Sequence, residues 1–149
     1  MSTLGFNFLY SKQLDAILIL PAIAIGFLSV AVLNLNNMRD EASDRKSGKN
    51  TLVVKMGIEN AKKYHYFLIV GAMLLVLLFA ILSDFHFDQY LFLIAYIPLV
   101  KHLITVRKNQ NSKLLDPELK KVALSTFALS VLLALCMIFF FSDLIVNNS

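Results

Sequence analysis

The sequence predicts an all-α, polytopic membrane protein built on four transmembrane helices. Three observations lead there. Apolar residues make up 58% of the 149-residue chain and charged residues 16%, with a mean hydropathy of +0.69; soluble domains run near a quarter charged. Helices that are apolar all round must be buried in protein or in lipid, and a chain of this length cannot bury several of them in one another. Finally, the apolar residues fall into long runs separated by charge-dense connections.

The first run, Ala16–Met38, is 23 residues without an acid or a base. Tyr64–Ser83 follows with 20, His65 being its one group that ionises near neutrality. Gln89–Val106 has 18 and includes Lys101 and His102; Val122–Phe141 has 20 and no charge. A hydrocarbon core of about 30 Å takes about 20 helical residues, so three runs suffice outright. In the third, Lys101 stands near the end, where its stem can snorkel to the interface. Pro21 and Pro98 lie within runs, as membrane helices allow when neighbours satisfy the backbone. The lone Cys136 reads as packing, and no disulfide framework is available to one cysteine.

The connections sort by charge. Residues 39–63 carry Arg39, Arg45, Lys46, Lys49, Lys55, Lys62 and Lys63, and the stretch ending the third run carries Lys101, Arg107, Lys108, Lys113, Lys120 and Lys121. The link Asp84–Asp88 and the tail Ser142–Ser149 have no cation. Positive loops stay inside, so the loops 39–63 and 107–121 are expected in the cytoplasm and both termini outside. The net charge of +4 is thereby a matter of topology, and no nucleic-acid partner is needed to explain it. An outward N-terminus so close to a first span, preceded by the apolar segment Gly5–Tyr10, reads as the interior of a larger membrane protein.

At the end of the first run stand Asp40 and Asp44, spaced i, i+4 and so on one helical face, with Asn36 a turn earlier on the same stripe. Like charges at this spacing repel, and the C-terminal end of a helix disfavours anions. Arg39, Arg45 and Lys46 offset both effects as an ordinary interfacial cluster; a divalent cation does so equally. Mg²⁺ takes one or two protein carboxylates and completes its shell with water and substrate phosphates, and nearby Arg and Lys then meet the remaining phosphate oxygens. Spacing alone does not choose between the two.

The full stretch NNMRDEASDRKSGKNTLVVKMG, Asn36–Gly57, resembles the second aspartate-rich motif of the UbiA-type intramembrane prenyltransferases. It is most similar to that of the 1,4-dihydroxy-2-naphthoate polyprenyltransferases of menaquinone synthesis, with the pattern NNxRDxxxDxxxGKxTLxVxxG. Asn36, Asn37, Arg39, Asp40, Asp44, Gly48, Lys49, Thr51, Leu52, Val54 and Gly57 all coincide with it. The flanks PAIAIGFLSVAVLNLNN and KLLDPELKKVALSTFALSVLLAL extend the likeness over most of the chain.

The resemblance implies about nine helices around a cavity, of which residues 1–149 would be a C-terminal portion, in a bacterial cytoplasmic (inner) membrane. It implies Mg²⁺ on Asp40 and Asp44, and a diphosphate met by Arg39, Arg45 and Lys49, with Asn36 and Asn37 orienting water or phosphate oxygens. Polyprenyl diphosphate would be the donor and 1,4-dihydroxy-2-naphthoate the acceptor, giving demethylmenaquinone; another aromatic acceptor of the superfamily is the near alternative. Phe67, Phe79, Phe92, Tyr96 and Phe127 are candidates for a prenyl groove, each equally able to face lipid or neighbouring helices. The family pattern has two aspartate-rich motifs and this sequence has one, so the isolated chain is expected to be inactive unless a second chain brings the first motif. An inactive fragment or a non-catalytic membrane subunit with a lipid-binding basic loop is the alternative of a different class.

Of the remaining residues, Gly48 is expected to turn the chain and Gly57 to separate a short helix from the second span. Asp116-Pro117-Glu118 reads as a cap opening the last helix. His65 and His102 have no partner at metal-ligand spacing and read as packing, with Tyr64, Tyr66, Tyr90 and Tyr96 among the interface anchors.

Overall fold

A computed structural model describes residues 17–83, 85–109 and 115–146. The segment Gly5–Tyr10, Asp84 and the residues 110–114 and 147–149 lie outside the described residues. Among those described, all regular structure is helical: α1 (Ile19–Lys46), the short α2 (Leu52–Met56), α3 (Ile58–Leu82), a 3₁₀ segment (Phe87–Ala95) running into α4 (Tyr96–Lys108), and α5 (Asp116–Val146). Four of these stretches are long and apolar enough to cross a membrane, as the apolar runs predict.

The helices overrun the apolar runs at their charged ends. α1 continues through Arg39–Lys46, because Arg, Glu, Ala and Lys are sound helix formers and nothing before Gly48 breaks the pattern. Its 28 residues span about 42 Å at 1.5 Å each, so the last two turns project beyond a core of about 30 Å. The stretch 39–63, expected as a loop, is thus mostly helix. The helix stops in a Schellman motif: the Lys49 N–H donates to the Asp44 carbonyl (2.9 Å) and the Gly48 N–H to that of Arg45 (3.3 Å). Gly48, at φ +74°, supplies the left-handed residue this reversal requires. Thr51 then caps α2, its Oγ1 accepting from the Val54 N–H at 3.3 Å, and Gly57 at φ +81° separates α2 from α3.

All three prolines stand in the first turn of a helix. Pro21 and Pro98 are the third residues of α1 and α4 and Pro117 is the second of α5, where a missing amide proton costs little. The third crossing is correspondingly not one uniform α-helix. It opens as 3₁₀, with Tyr90 at a non-helical φ −84°, ψ 16°, and becomes α only at Tyr96.

α1 packs chiefly on α3, and α5 lies against α1, the 3₁₀ segment and α4. Ala24, Leu28, Ala31 and Ala72 bring α1 and α3 close within the main apolar cluster, which also takes in Phe79, Phe92 and Cys136. A second cluster, including Leu35, Met38, Val53, Val106 and Val122, lies under the charged end. Of the groove candidates, Phe79 and Phe92 are core residues, whereas Phe67 and Phe127 are 63% and 69% exposed and face outward. Tyr66 and Tyr96 donate from their hydroxyls to the Leu103 and Met73 carbonyls, at 2.6 and 2.7 Å; they tie helices together.

Candidate functional site

The charged ends of α1, α3, α4 and α5 gather at one end of the bundle. Arg39 on α1 donates to Asp116 at the start of α5, and Lys62 on α3 donates to the Asn109 carbonyl just past α4 (both 3.0 Å). Because α1 is unbroken from Ile19 to Lys46, Asn36, Asp40 and Asp44 do share one helical stripe. Met38 packs beneath it against the second cluster, which sets which way the stripe faces.

Each carboxylate has a cation on it. Arg39 grips Asp40 with two bonds of 2.8 Å, Nε to Oδ1 and Nη2 to Oδ2, and its Nη1 reaches Asp116 Oδ1. This fork is the geometry that suits a guanidinium to oxyanions. Asp40 stands past the uncharged part of α1, and the hydrogen-bonded Arg39 holds its carboxyl below the usual carboxylate range. Asp44 is nearly buried, at 6% exposure; Lys49 Nζ donates to its carboxylate Oδ1 at 3.3 Å, and the Ser47 hydroxyl donates to its backbone carbonyl at 3.1 Å. The reversal at Gly48 folds Lys49 back over Asp44, so the Gly48-Lys49 pair in the sequence has a direct structural purpose.

Arg45 is different. Its Nε and Nη2 both donate to Glu41 Oε1, at 2.8 and 2.6 Å, on an exposed part of the helix. Here the structure brings Arg45 to Glu41 and not to the acidic pair. Asn36 and Asn37 are half-buried beside the stripe. The neighbouring Asn34, which sequence reasoning passed over, is buried and donates from Nδ2 to the Ala61 carbonyl of α3 at 3.0 Å.

Two carboxylates a turn apart suit a hard divalent cation as donors. No group of three or more metal-ligating side chains occurs among the described residues. A Mg²⁺ ion held here would therefore draw the rest of its shell from water, phosphate oxygens or other side chains.

A second polar cluster lies inside the same end. His65 on α3 and His102 on α4 meet Nε2 to Nε2 at 2.8 Å. His102 Nδ1 is 2.8 Å from Glu118 Oε2, and Lys121 Nζ donates to Glu118 Oε1 at 2.6 Å. Both histidines and Glu118 are at most 2% exposed. An ionised carboxylate only accepts, so His102 carries its proton on Nδ1 and, while neutral, accepts at Nε2 from the Nε2–H of His65. The two histidines, expected as separate packing residues, are thus partners in one buried array joining three helices. Only Lys121–Glu118, an i, i+3 pair on α5, is local; the contacts among His65, His102 and Glu118 are all between helices and leave no local sign in the sequence.

Comparison with known proteins gives these likenesses. Residues 1–115 match the UbiA prenyltransferase family. The chain is 38% identical over 131 residues to the 1,4-dihydroxy-2-naphthoate octaprenyltransferase of Haemophilus influenzae, covering 88% of this chain and 42% of that protein. It is 38% identical over 135 residues to the protein of the same name in Escherichia coli, covering 91% and 44%. The UbiA prenyltransferase domain-containing protein 1 of Dictyostelium discoideum is 29% identical over 126 residues, covering 81% and 37%. The chain spans less than half the length of these relatives. No solved structure matches it.

Proposed function

The chain belongs to the UbiA prenyltransferase family, and on that footing we propose that it supplies the second aspartate-rich motif of a polyprenyl transfer site. The donor is a polyprenyl diphosphate and the acceptor 1,4-dihydroxy-2-naphthoate, the acceptor named for two relatives of 38% identity. The observation that carries this reading is the stripe itself: two carboxylates a turn apart, gripped by Arg39 and Lys49 at the end of an apolar helix.

Asp40 and Asp44 hold Mg²⁺, which when bound supplies charge stabilisation to the departing diphosphate. Arg39 and Lys49 take the phosphate oxygens that the metal leaves uncovered, and the half-buried Asn36 and Asn37 orient water or phosphate beside them. Preorganised cations in a water-poor site favour ionisation of an allylic diphosphate. The C–O bond to diphosphate breaks, a C–C bond forms to the electron-rich ring, and the ring carboxyl leaves as CO₂, giving the hydroquinone form of demethylmenaquinone with diphosphate as the released leaving group. The first aspartate-rich motif of the family pattern, brought by a second chain, completes the metal site. The apolar helices sit in a bacterial inner membrane with their charged ends in the cytoplasm.

The test is Mg²⁺-dependent binding of geranylgeranyl thiolodiphosphate by the detergent-purified protein, with and without Asp40→Asn. Loss of binding in the variant is expected, together with loss of transfer wherever the whole site is assembled. Binding that ignores both Mg²⁺ and Asp40, but falls on neutralising Lys46, Lys49 and Lys55, would overturn the reading in favour of a basic lipid-binding loop.

A further inference from the structure

We propose that Glu118 and His102 are positioning residues for the Arg39 guanidinium, acting through the first turn of α5. This rests on the reading of the Asp40–Asp44 stripe as a diphosphate site. Arg39 has two anchors: Asp40 takes Nε and Nη2, and Asp116 takes Nη1. Once the lone pairs of Asp40 are given to a cation, both bonds to Asp40 weaken. Asp116 is then the partner that keeps the guanidinium beside the stripe.

Asp116 can do so only as well as its helix end is held. Its own side chain is 69% exposed, and a solvent-facing ion pair contributes little towards fixing a helix. Leu115 and Val122 pack into the second apolar cluster, but apolar contact is non-directional and tolerates rotation about the helix axis. Glu118 does not. Its carboxylate is buried, with one oxygen on His102 and the other on Lys121; Lys121 travels with α5, but moving Glu118 away from α4 would strip the His102 partner from a desolvated carboxylate oxygen. Two residues on a helix are about 200° apart around the axis, so the bond that turns Glu118 inward to α4 turns Asp116 outward to Arg39. His102 is held in turn by His65 on α3, which fixes the ring that Glu118 meets.

A double-mutant cycle tests this. Dissociation constants for geranylgeranyl thiolodiphosphate in saturating Mg²⁺ are measured by calorimetry for the wild type, Asp116→Asn, Glu118→Gln and the double variant. Each single change is expected to weaken binding about fivefold, the upper end for an exposed ion pair, and the double variant to be no weaker than Asp116→Asn. Additive losses, or a Glu118→Gln protein that binds as the wild type does, would overturn the proposal. Should Glu118→Gln fail to fold, His102→Asn, which keeps a side-chain donor, takes its place in the cycle.

A readout without ligand separates this inference from the reading beneath it. Spin labels at Lys46→Cys and Lys120→Cys, in a Cys136→Ala background, should give a narrow distance distribution that broadens with Glu118→Gln. An unchanged width overturns the positioning role. If the wild-type protein binds no thiolodiphosphate in Mg²⁺, the diphosphate reading fails while the label widths still decide whether Glu118 holds α5.

Discussion

Lys49 and Arg45 carry the same charge at the end of α1, yet the structure gives them different work. Lys49 is returned to Asp44 by the reversal at Gly48, whereas Arg45 spends two donors on Glu41, an i, i+4 neighbour on the exposed side. A cation already lying on the acidic stripe can move to a phosphate with little reorganisation; one committed elsewhere must first give up its partner. Lys49→Ala is therefore expected to weaken Mg²⁺-dependent thiolodiphosphate binding about tenfold, in the range for a charged hydrogen bond. Arg45→Ala should weaken it less than about twofold, as for a surface pair. Calorimetric titration of the two variants checks this, and equal losses would return Arg45 to the diphosphate set. The motif includes both cations by its pattern. Only the turn geometry distinguishes them.

Between elements, Gly71 of α3 stands close against Phe27 of α1. A Cβ built there would stand 3.1 Å from Cε2 and 3.2 Å from Cδ2 of Phe27, whose ring is in turn 5.8 Å from that of Phe67. Gly71→Ala should be close to neutral, since a gain in helix propensity of about 1 kcal/mol offsets the displacement of one ring edge. Gly71→Leu should destabilise by about 1–3 kcal/mol through overpacking, and Phe27→Ala in the same chain should recover most of that. Unfolding by SDS titration in mixed micelles measures both; a Gly71→Leu protein as stable as the wild type would mean the helices do not meet at this glycine. A sequence shows the glycine but not the ring facing it. The same limit explains what was and was not legible elsewhere. Long apolar runs announce four helices because lipid or protein must cover them, and DxxxD on a helix announces one stripe because both residues share a segment. The ends of α1 and α3 were hidden because an apolar count stops at the first charge while the helix continues. The array of His65, His102 and Glu118 was hidden because its residues belong to three helices.

At the scale of the molecule, cation contacts among the described residues hold helix ends together at one end of the bundle. Arg39 meets Asp116, Lys62 meets the Asn109 carbonyl, and Lys121 meets Glu118, so the ends of α1, α3, α4 and α5 converge there. The opposite turn, between α3 and the 3₁₀ segment, presents the exposed His86. The positive-inside rule predicts that the first end, and the acidic stripe with it, faces the cytoplasm. Accessibility of single cysteines decides this. In a Cys136→Ala background, Lys49→Cys should resist a membrane-impermeant maleimide applied to intact cells and react in inverted vesicles, whereas His86→Cys should do the reverse. Lys49 is 70% exposed, so a failure to react from outside reports sidedness and not burial. Labelling of Lys49→Cys in intact cells would invert the topology and put the proposed metal and diphosphate site on the outer face. Reaction at both positions from one side would be more informative still: α3, the one long helix between them, would then not cross the bilayer, and its apolar run would need cover from protein.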